Sequence, residues 1–225
     1  MRETRGRWDE MLARKADPAR SADKIHPQAV ARLLSDFSRD DAVFVNDTGE
    51  VTLWAANWTR QRAGQRIIGS FNNAAVGTAL GMANGVQVLD RDRQVIVQIG
   101  DGGFTMLAGE LMTAVEHRLP VKIVVYDNAG WGLVHLEMEG AGLPATSGAK
   151  FPNMDFAAYA EACGAAGFRA DEPQSLETVI PAFLEAQGPA VLHAKVDPAE
   201  LPVMPHFDIA QALRFGLAKA KELVS

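Results

Sequence analysis

Cysteine is almost absent from this chain: Cys163 is the one thiol among 225 residues. A lone thiol excludes an internal disulfide framework and a cysteine-rich zinc site, and in its helical context it reads as a small buried hydrophobe. Positive charge is also in short supply. There are 22 lysines and arginines against 28 aspartates and glutamates, a formal net charge of −6. That balance leaves no electrostatic footprint for nucleic acid or for an anionic membrane surface. No stretch approaches the roughly 20 consecutive apolar residues of a membrane span. The first 24 residues, MRETRGRWDEMLARKADPARSADK, are charged throughout and lack the apolar centre of a signal peptide. A cytoplasmic location is the resulting expectation. An anionic ligand would have to be held by backbone N–H groups or by a metal.

What the chain does have is an ordinary globular composition, 48% hydrophobic and 22% charged, and enough length for one sizeable core. Residues 1–24 read as a short helix around Trp8, Met11 and Leu12 and then a loop at Asp17-Pro18, a linker or N-terminal extension to a domain over 25–225. Pro27 suits a first helical turn, and Val30, Leu33, Leu34 and Phe37 fall at i, i+3, i+4, i+7 behind it. Strand-like runs at 42–45, 66–69, 95–99, 121–126, 167–170 and 190–196 alternate with helical patterns, among them 74–88, 155–163, 175–187 and 208–223. That alternation predicts an α/β fold, a doubly wound and mainly parallel sheet with helices on both faces. Trp54 and Trp58, four residues apart, read as core indoles. Glycines 77, 81 and 85 leave a bare ridge against which a sheet, a helix or a partner subunit could pack. Residues 141–153 form a polar loop of the length that often serves as a lid.

The centre of the chain is RQVIVQIGDGGFTMLAGELMTAVEHRLPVKIVVYDNAGWGLVHL, residues 93–136. Two apolar strand runs each end in a polar cluster, Gly100-Asp101-Gly102-Gly103 and Asp127-Asn128-Ala129-Gly130. Parallel strands joined by a helix finish at the same sheet edge, so the clusters should meet there. Glycines around Asp101 allow a sharp turn and bring N–H groups against an anion. The pattern is neither a Walker loop, for want of Gly-Lys-Ser/Thr, nor the dinucleotide fingerprint, for want of a correctly spaced third glycine. Asp101 and Asn128 offer hard oxygen ligands. A diphosphate-bound Mg²⁺ needs only a few of those, with water completing its shell.

Asn128 follows Asp101 by 27 residues, and 25 residues, 103–127, separate it from Gly102. Gly-Asp-Gly followed at that distance by Asn resembles the metal–diphosphate signature of thiamine diphosphate enzymes. The resemblance extends from about residue 25 to the C-terminus and is closest to the pyruvate oxidase and quinone-dependent pyruvate dehydrogenase branch, through HPQAVARLL, NDTGEVTLWAANW, GSFNNAAVGTALGMANG, NMDFAAYAEACGAAGFR and GPAVLHAKVD. It implies metal ligation by Asp101, Asn128 and the Gly130 carbonyl, and diphosphate contacts at Thr48, Gly49, Gly102 and Gly103. It also implies support of the bent cofactor and its aminopyrimidine near Asn73 and Val76, with Val76 smaller than the Met, Leu or Ile usual there. Where the family often has an Asn-Asn pair, this chain has Asp127-Asn128. Pyruvate oxidases carry an aromatic residue at the position of Leu133. Glu137 matches a glutamate of the oxidases where acetolactate synthases place tryptophan, and is the candidate catalytic residue.

The resemblance also implies a cofactor, thiamine diphosphate with Mg²⁺, and a small 2-oxo acid substrate such as pyruvate, decarboxylated in oxidase fashion. The family's activating glutamate lies on a pyrimidine-binding domain that these residues do not include. FAD would enter only with a middle domain supplied elsewhere. A pyrimidine-binding partner and a homo-oligomer are expected. An acetolactate synthase-like carboligase component and a non-catalytic cofactor-binding scaffold are the alternatives.

Overall fold

The computed structural model describes residues 2–62, 64–144, 148–152 and 154–202, together with 213, 216 and 217. Among these residues six strands form, the central ones on short runs rich in Val and Ile: β1 (Val43–Asn46), β2 (Arg66–Gly69), β3 (Val95–Gly100), β4 (Lys122–Asp127), β5 (Ala166–Ala170) and β6 (Ala190–Lys195). They pair in the order β2-β1-β3-β4-β6-β5, every pair parallel. The central strands are buried on both faces, as a parallel sheet covered by helices requires.

Alternate residues of each strand feed different cores, the consequence of a period of two. Phe44, Ile96, Val124, Tyr126 and Leu192 pack under α2 (Pro27–Phe37) and α9 (Leu176–Glu185). Val43, Val45, Val97, Ile99, Ile123, Val125 and Val191 pack on the other face. The helices there are α4 (Ala79–Leu89), α5 (Asp101–Met106), α6 (Glu110–Glu116) and α8 (Phe156–Cys163). The remaining helices are α1 (Arg2–Lys15), α3 (Glu50–Trp58) and α7 (Gly132–Gly140), with 3₁₀ turns at Pro18–Arg20 and Pro173–Ser175. No helix among the described residues is long and apolar enough to cross a membrane.

From β1 the chain moves one way to β2, then back past β1 to β3. The crevice outside the strand ends at that reversal is where a doubly wound sheet accepts ligands. Register places Asn46 beside Gln98, and Gly100 beside Tyr126, so the segments after β1, β3 and β4 emerge together.

Two boundaries depart from the sequence pattern. The helix expected from residue 74 starts at Ala79, because Ala74 (φ 49°) and Gly77 (φ 84°) take left-handed backbone and form a turn first. That turn aims the Gly77 N–H at both oxygens of Asp47, 2.9 Å from each. The expected helix between β3 and β4 is two short ones, α5 and α6. The terminal helix expected over 208–223 falls outside the described residues, apart from Leu213, Gly216 and Leu217, which are helical.

The segment expected as a linker is docked. Leu12 and Ala16 are buried against Trp54 and Trp58 of α3, whose rings lie 5.9 Å apart, and the Trp58 indole N–H donates to the Leu12 carbonyl at 2.9 Å. Both tryptophans are core residues, as read from the sequence. Ile25 bridges to Val196, and the Glu200 carboxylate gathers Arg20 and His26. Leu12→Ala is therefore expected to lower unfolding free energy by about 2–3 kcal/mol, the usual result of emptying a buried leucine site. Urea unfolding followed by tryptophan fluorescence measures it; a midpoint equal to the parent's would show that α1 does not contribute to the fold.

Candidate active site

Three loops meet at the C-terminal edge of the sheet: 47–49 after β1, 100–103 around the end of β3, and 127–132 after β4. They enclose a cavity of ≈ 130 Å³ lined by Thr48, Gly49, Glu50, Val76, Asp101, Gly102, Gly103, Asn128, Gly130, Trp131 and Leu133, among others. The glycine–aspartate and aspartate–asparagine clusters thus come together on one edge. Of the sequence-predicted site residues, Asn73 and Glu137 are exposed and line neither this cavity nor its neighbour. On α7 it is Glu139, two residues on, that is buried, where it meets His135 Nε2 at 2.9 Å.

Asp101 is the fixed point. Its side chain is buried, with Oδ1 accepting from the Gly102 N–H at 2.7 Å and Oδ2 from the Gly130 N–H at 2.9 Å. Burial pushes its carboxyl up, the Gly102 bond pulls it back, and the adjacent Asp127 charge pushes the same way as burial. Asp127 goes the opposite way. Burial alone would raise it, but hydrogen bonds from His193 and the Ala129 N–H, with the imidazole's charge, hold it below the usual carboxylate range. His193, buried on β6, lies 2.7 Å from Asp127 Oδ2 through Nε2. Asp127 Oδ1 accepts from Ala129 N at 2.9 Å and helps hold that residue at φ 60°.

The third anchor is Glu50, the first residue of α3. Gly49 precedes it at φ 135°, ψ −162°, a backbone conformation open essentially to glycine. Glu50 Oε2 accepts from Asn128 Nδ2 at 3.1 Å. Burial pushes the Glu50 carboxyl up to about 7, against the Asn128 bond and with Glu139's charge adding to the rise. Deeper still, Asp47 holds Gly77 while its carboxylate fills the space a side chain at Gly103 would need. Gly102 lies under the Trp131 ring, and a Cβ on Gly130 would strike the Ala149 carbonyl. Residues 149–151 strap this loop, with Trp131 N–H donating to Ala149 O and Phe151 N–H to Ala129 O, each at 2.9 Å. Several glycines of the motif thus answer to protein packing.

Glu50, Asp47 and His193 were not among the residues singled out from the sequence. Glu50 meets Asn128 across 78 residues, and an acidic residue at a helix start reads first as a dipole partner. His193 did carry a signal, as a lone imidazole in the otherwise apolar run AVLHA on a strand buried from both sides.

Among the described residues, no Lys, Arg or His lines the cavity. Its donors to an anion are uncharged, backbone N–H groups and the Thr48 hydroxyl among them, and its acceptors include hard oxygens: the Asp101 carboxylate, the Asn128 amide and the Gly130 carbonyl. No cluster of three His, Cys, Asp or Glu side chains suited to a metal occurs among the described residues. The set therefore fits a hard cation that keeps water and shares an anionic ligand, such as Mg²⁺ on a diphosphate.

The raised Glu50 carboxyl has a pH signature in the metal-free chain. Its contribution to stability is full below about pH 4.5 and is lost as pH rises through about 7. Glu50→Gln keeps an acceptor for Asn128 and cannot ionise. It should match the parent near pH 4 and exceed it at pH 8, by up to about 3 kcal/mol. Urea unfolding in EDTA at the two pH values checks this, and an equal difference at both would contradict it.

Comparison with known proteins agrees with this geometry. Residues 47–194 match the family model described as thiamine pyrophosphate enzyme, C-terminal TPP binding domain. The chain is 35% identical over 179 residues to a putative thiamine pyrophosphate-containing protein, YdaP, of Bacillus subtilis, covering 80% of this chain and 30% of that one. It is 29% identical to the catabolic acetolactate synthase of Raoultella terrigena, over 80% of this chain and 32% of that protein. The chain thus spans about a third of the length of these relatives. The crystal structure of benzoylformate decarboxylase from Polynucleobacter necessarius shares the fold, with a TM-score of 0.71 at 23% identity over 80% of this chain and 34% of that one. With more than half of its residues matched and the motif loops joined at one sheet edge, the chain belongs to the thiamine pyrophosphate enzyme family, as its C-terminal TPP-binding domain.

Proposed function

We propose that this chain is the diphosphate- and Mg²⁺-binding half of a thiamine diphosphate-dependent enzyme acting on a small 2-oxo acid such as pyruvate. The observation that carries the reading is the meeting of Asp101, Asn128 and Gly130 in a cavity that no basic side chain lines among the described residues. With no cationic side chain among the described residues of its lining, such a cavity would hold a diphosphate through a cation and uncharged donors, backbone N–H groups chief among them. Asp101, Asn128 and the Gly130 carbonyl would hold Mg²⁺, while Thr48, Gly49, Gly102 and Gly103 would contact the diphosphate. Val76, in the cavity wall, would support the cofactor. When bound, thiamine diphosphate supplies the electron sink that lets a 2-oxo acid lose carbon dioxide, and the protein supplies placement and electrostatics.

Asn73 and Glu137 are exposed and would act only in a site completed by a second, pyrimidine-binding domain. A homo-oligomer that brings such domains together fits this arrangement. Glu137 was the sequence's argument for oxidase chemistry, and from its exposed position it lends that argument no geometric support. The relatives named acetolactate synthase support a second reading, a carboligase component that uses the same cradle.

Titration calorimetry tests the proposal. Thiamine diphosphate should bind with Mg²⁺ present and not in EDTA, and Asp101→Ala should weaken binding by at least about tenfold. The 225-residue chain assayed by itself with pyruvate, cofactor and Mg²⁺ should show no appreciable decarboxylation. Binding unaffected by Asp101→Ala would overturn the metal assignment. Turnover by this chain would overturn its reading as half of an active site.

A further inference from the structure

We propose that Glu50 is a positioning residue for the metal site: it fixes the side-chain amide of Asn128 so that the amide oxygen is presented to the cation. This rests on the Mg²⁺–diphosphate reading above. An asparagine amide has one useful end toward a hard cation and one harmful end, since its oxygen can ligate while its N–H₂ group repels. Something must choose between them. Here the choice is made by Oε2 of Glu50, which accepts from Asn128 Nδ2 at 3.1 Å. With the nitrogen end engaged, Oδ1 is the end turned away from Glu50.

Two further features make this a built arrangement. The first is confinement. A Cβ added to Gly132 would collide with both the Glu50 carboxylate and the Asn128 amide nitrogen, so the pair lies directly against the Gly132 backbone. The second is anchorage. Glu50 opens α3, whose Val51, Trp54 and Trp58 are buried in the core, so its position is set by packing. The same residues, Glu50, Asn128, Gly130 and Gly132, also line a neighbouring cavity of ≈ 420 Å³, which makes the pair part of the wall between two spaces. A carboxyl oxygen serves as the acceptor whether or not the group carries a proton, so the arrangement does not depend on its ionisation.

Partners that orient a metal ligand typically set metal affinity by about 10–100-fold. The test uses the full chain with Mn²⁺ as the probe and thiamine diphosphate present, following bound Mn²⁺ by electron paramagnetic resonance. Glu50→Gln, which retains an acceptor, should leave the Mn²⁺ half-saturation within about threefold of the parent. Glu50→Leu should raise it about 10–100-fold. In an Asn128→Ala background Glu50→Leu should add little, because the amide it orients is gone. A purely structural role for Glu50 would instead lower thermal stability without this dependence on Asn128.

If Glu50→Leu does not fold, Gly132→Ala displaces the same pair from the other side and should raise the half-saturation in its place. Unchanged Mn²⁺ affinity in Glu50→Leu, or a Glu50→Gln variant as impaired as Glu50→Leu, would overturn the positioning role. A parent chain that does not bind Mn²⁺ with thiamine diphosphate would overturn the underlying metal–diphosphate reading and this inference with it.

Discussion

The two hydrogen bonds that Asp101 accepts, from Gly102 within its own turn and from Gly130 on the next loop, are the contact on which the site depends. Parallel pairing delivers the ends of β3 and β4 to one edge, but adjacency leaves two loops free to sag apart. The buried carboxylate ties them. Around that tie the remaining contacts are arranged in layers. Asp47 anchors the turn before α4, His193 secures Asp127 at the end of β4, and the 149–151 strap closes over Gly130. Each comes from a different part of the chain, so the cradle is assembled by tertiary structure and rests on the two cores beneath it.

Electrostatically the site is acid-rich and short of cations. Asp101 and Glu50 are both raised by burial, and no basic side chain among the described residues lines the cavity. In a protein of net charge −6, a polyanionic cofactor has no general attraction to draw it in. In the function proposed above, a divalent cation would resolve the conflict, since it would satisfy the carboxylate and neutralise the phosphate together. The Asp127–His193 pair belongs to the same logic. Where the family often has asparagine the chain carries an acid, and the buried imidazole beside it confines the additional negative charge to a local pair.

Much of this was legible in the sequence. The central strands announced themselves as near-continuous apolar runs, and the spacing of Asp101 and Asn128 across a helix and a strand was enough to bring them to one edge. What was hidden depended on contacts between distant segments. The late start of α4 follows from Asp47 capturing Gly77, which no local propensity reports. The docking of residues 12–16 depends on two indoles some 40 residues away, so a charged segment with few apolar residues looked like a linker. Glu137 and Glu139 differ by only two residues in sequence, yet they fall on opposite sides of one short helix, and the apolar pattern of α7 is too even to say which faces inward.

In the function proposed for this chain, a cation held by Asp101, Asn128 and Gly130 would stand directly against a diphosphate. Its most direct test is ³¹P NMR of thiamine diphosphate titrated with the chain and substoichiometric Mn²⁺. Strong paramagnetic broadening of both phosphorus signals is expected in the presence of the parent chain, beyond that from free Mn²⁺, with loss of that excess in Asp101→Ala. Equal broadening with the two proteins would contradict it.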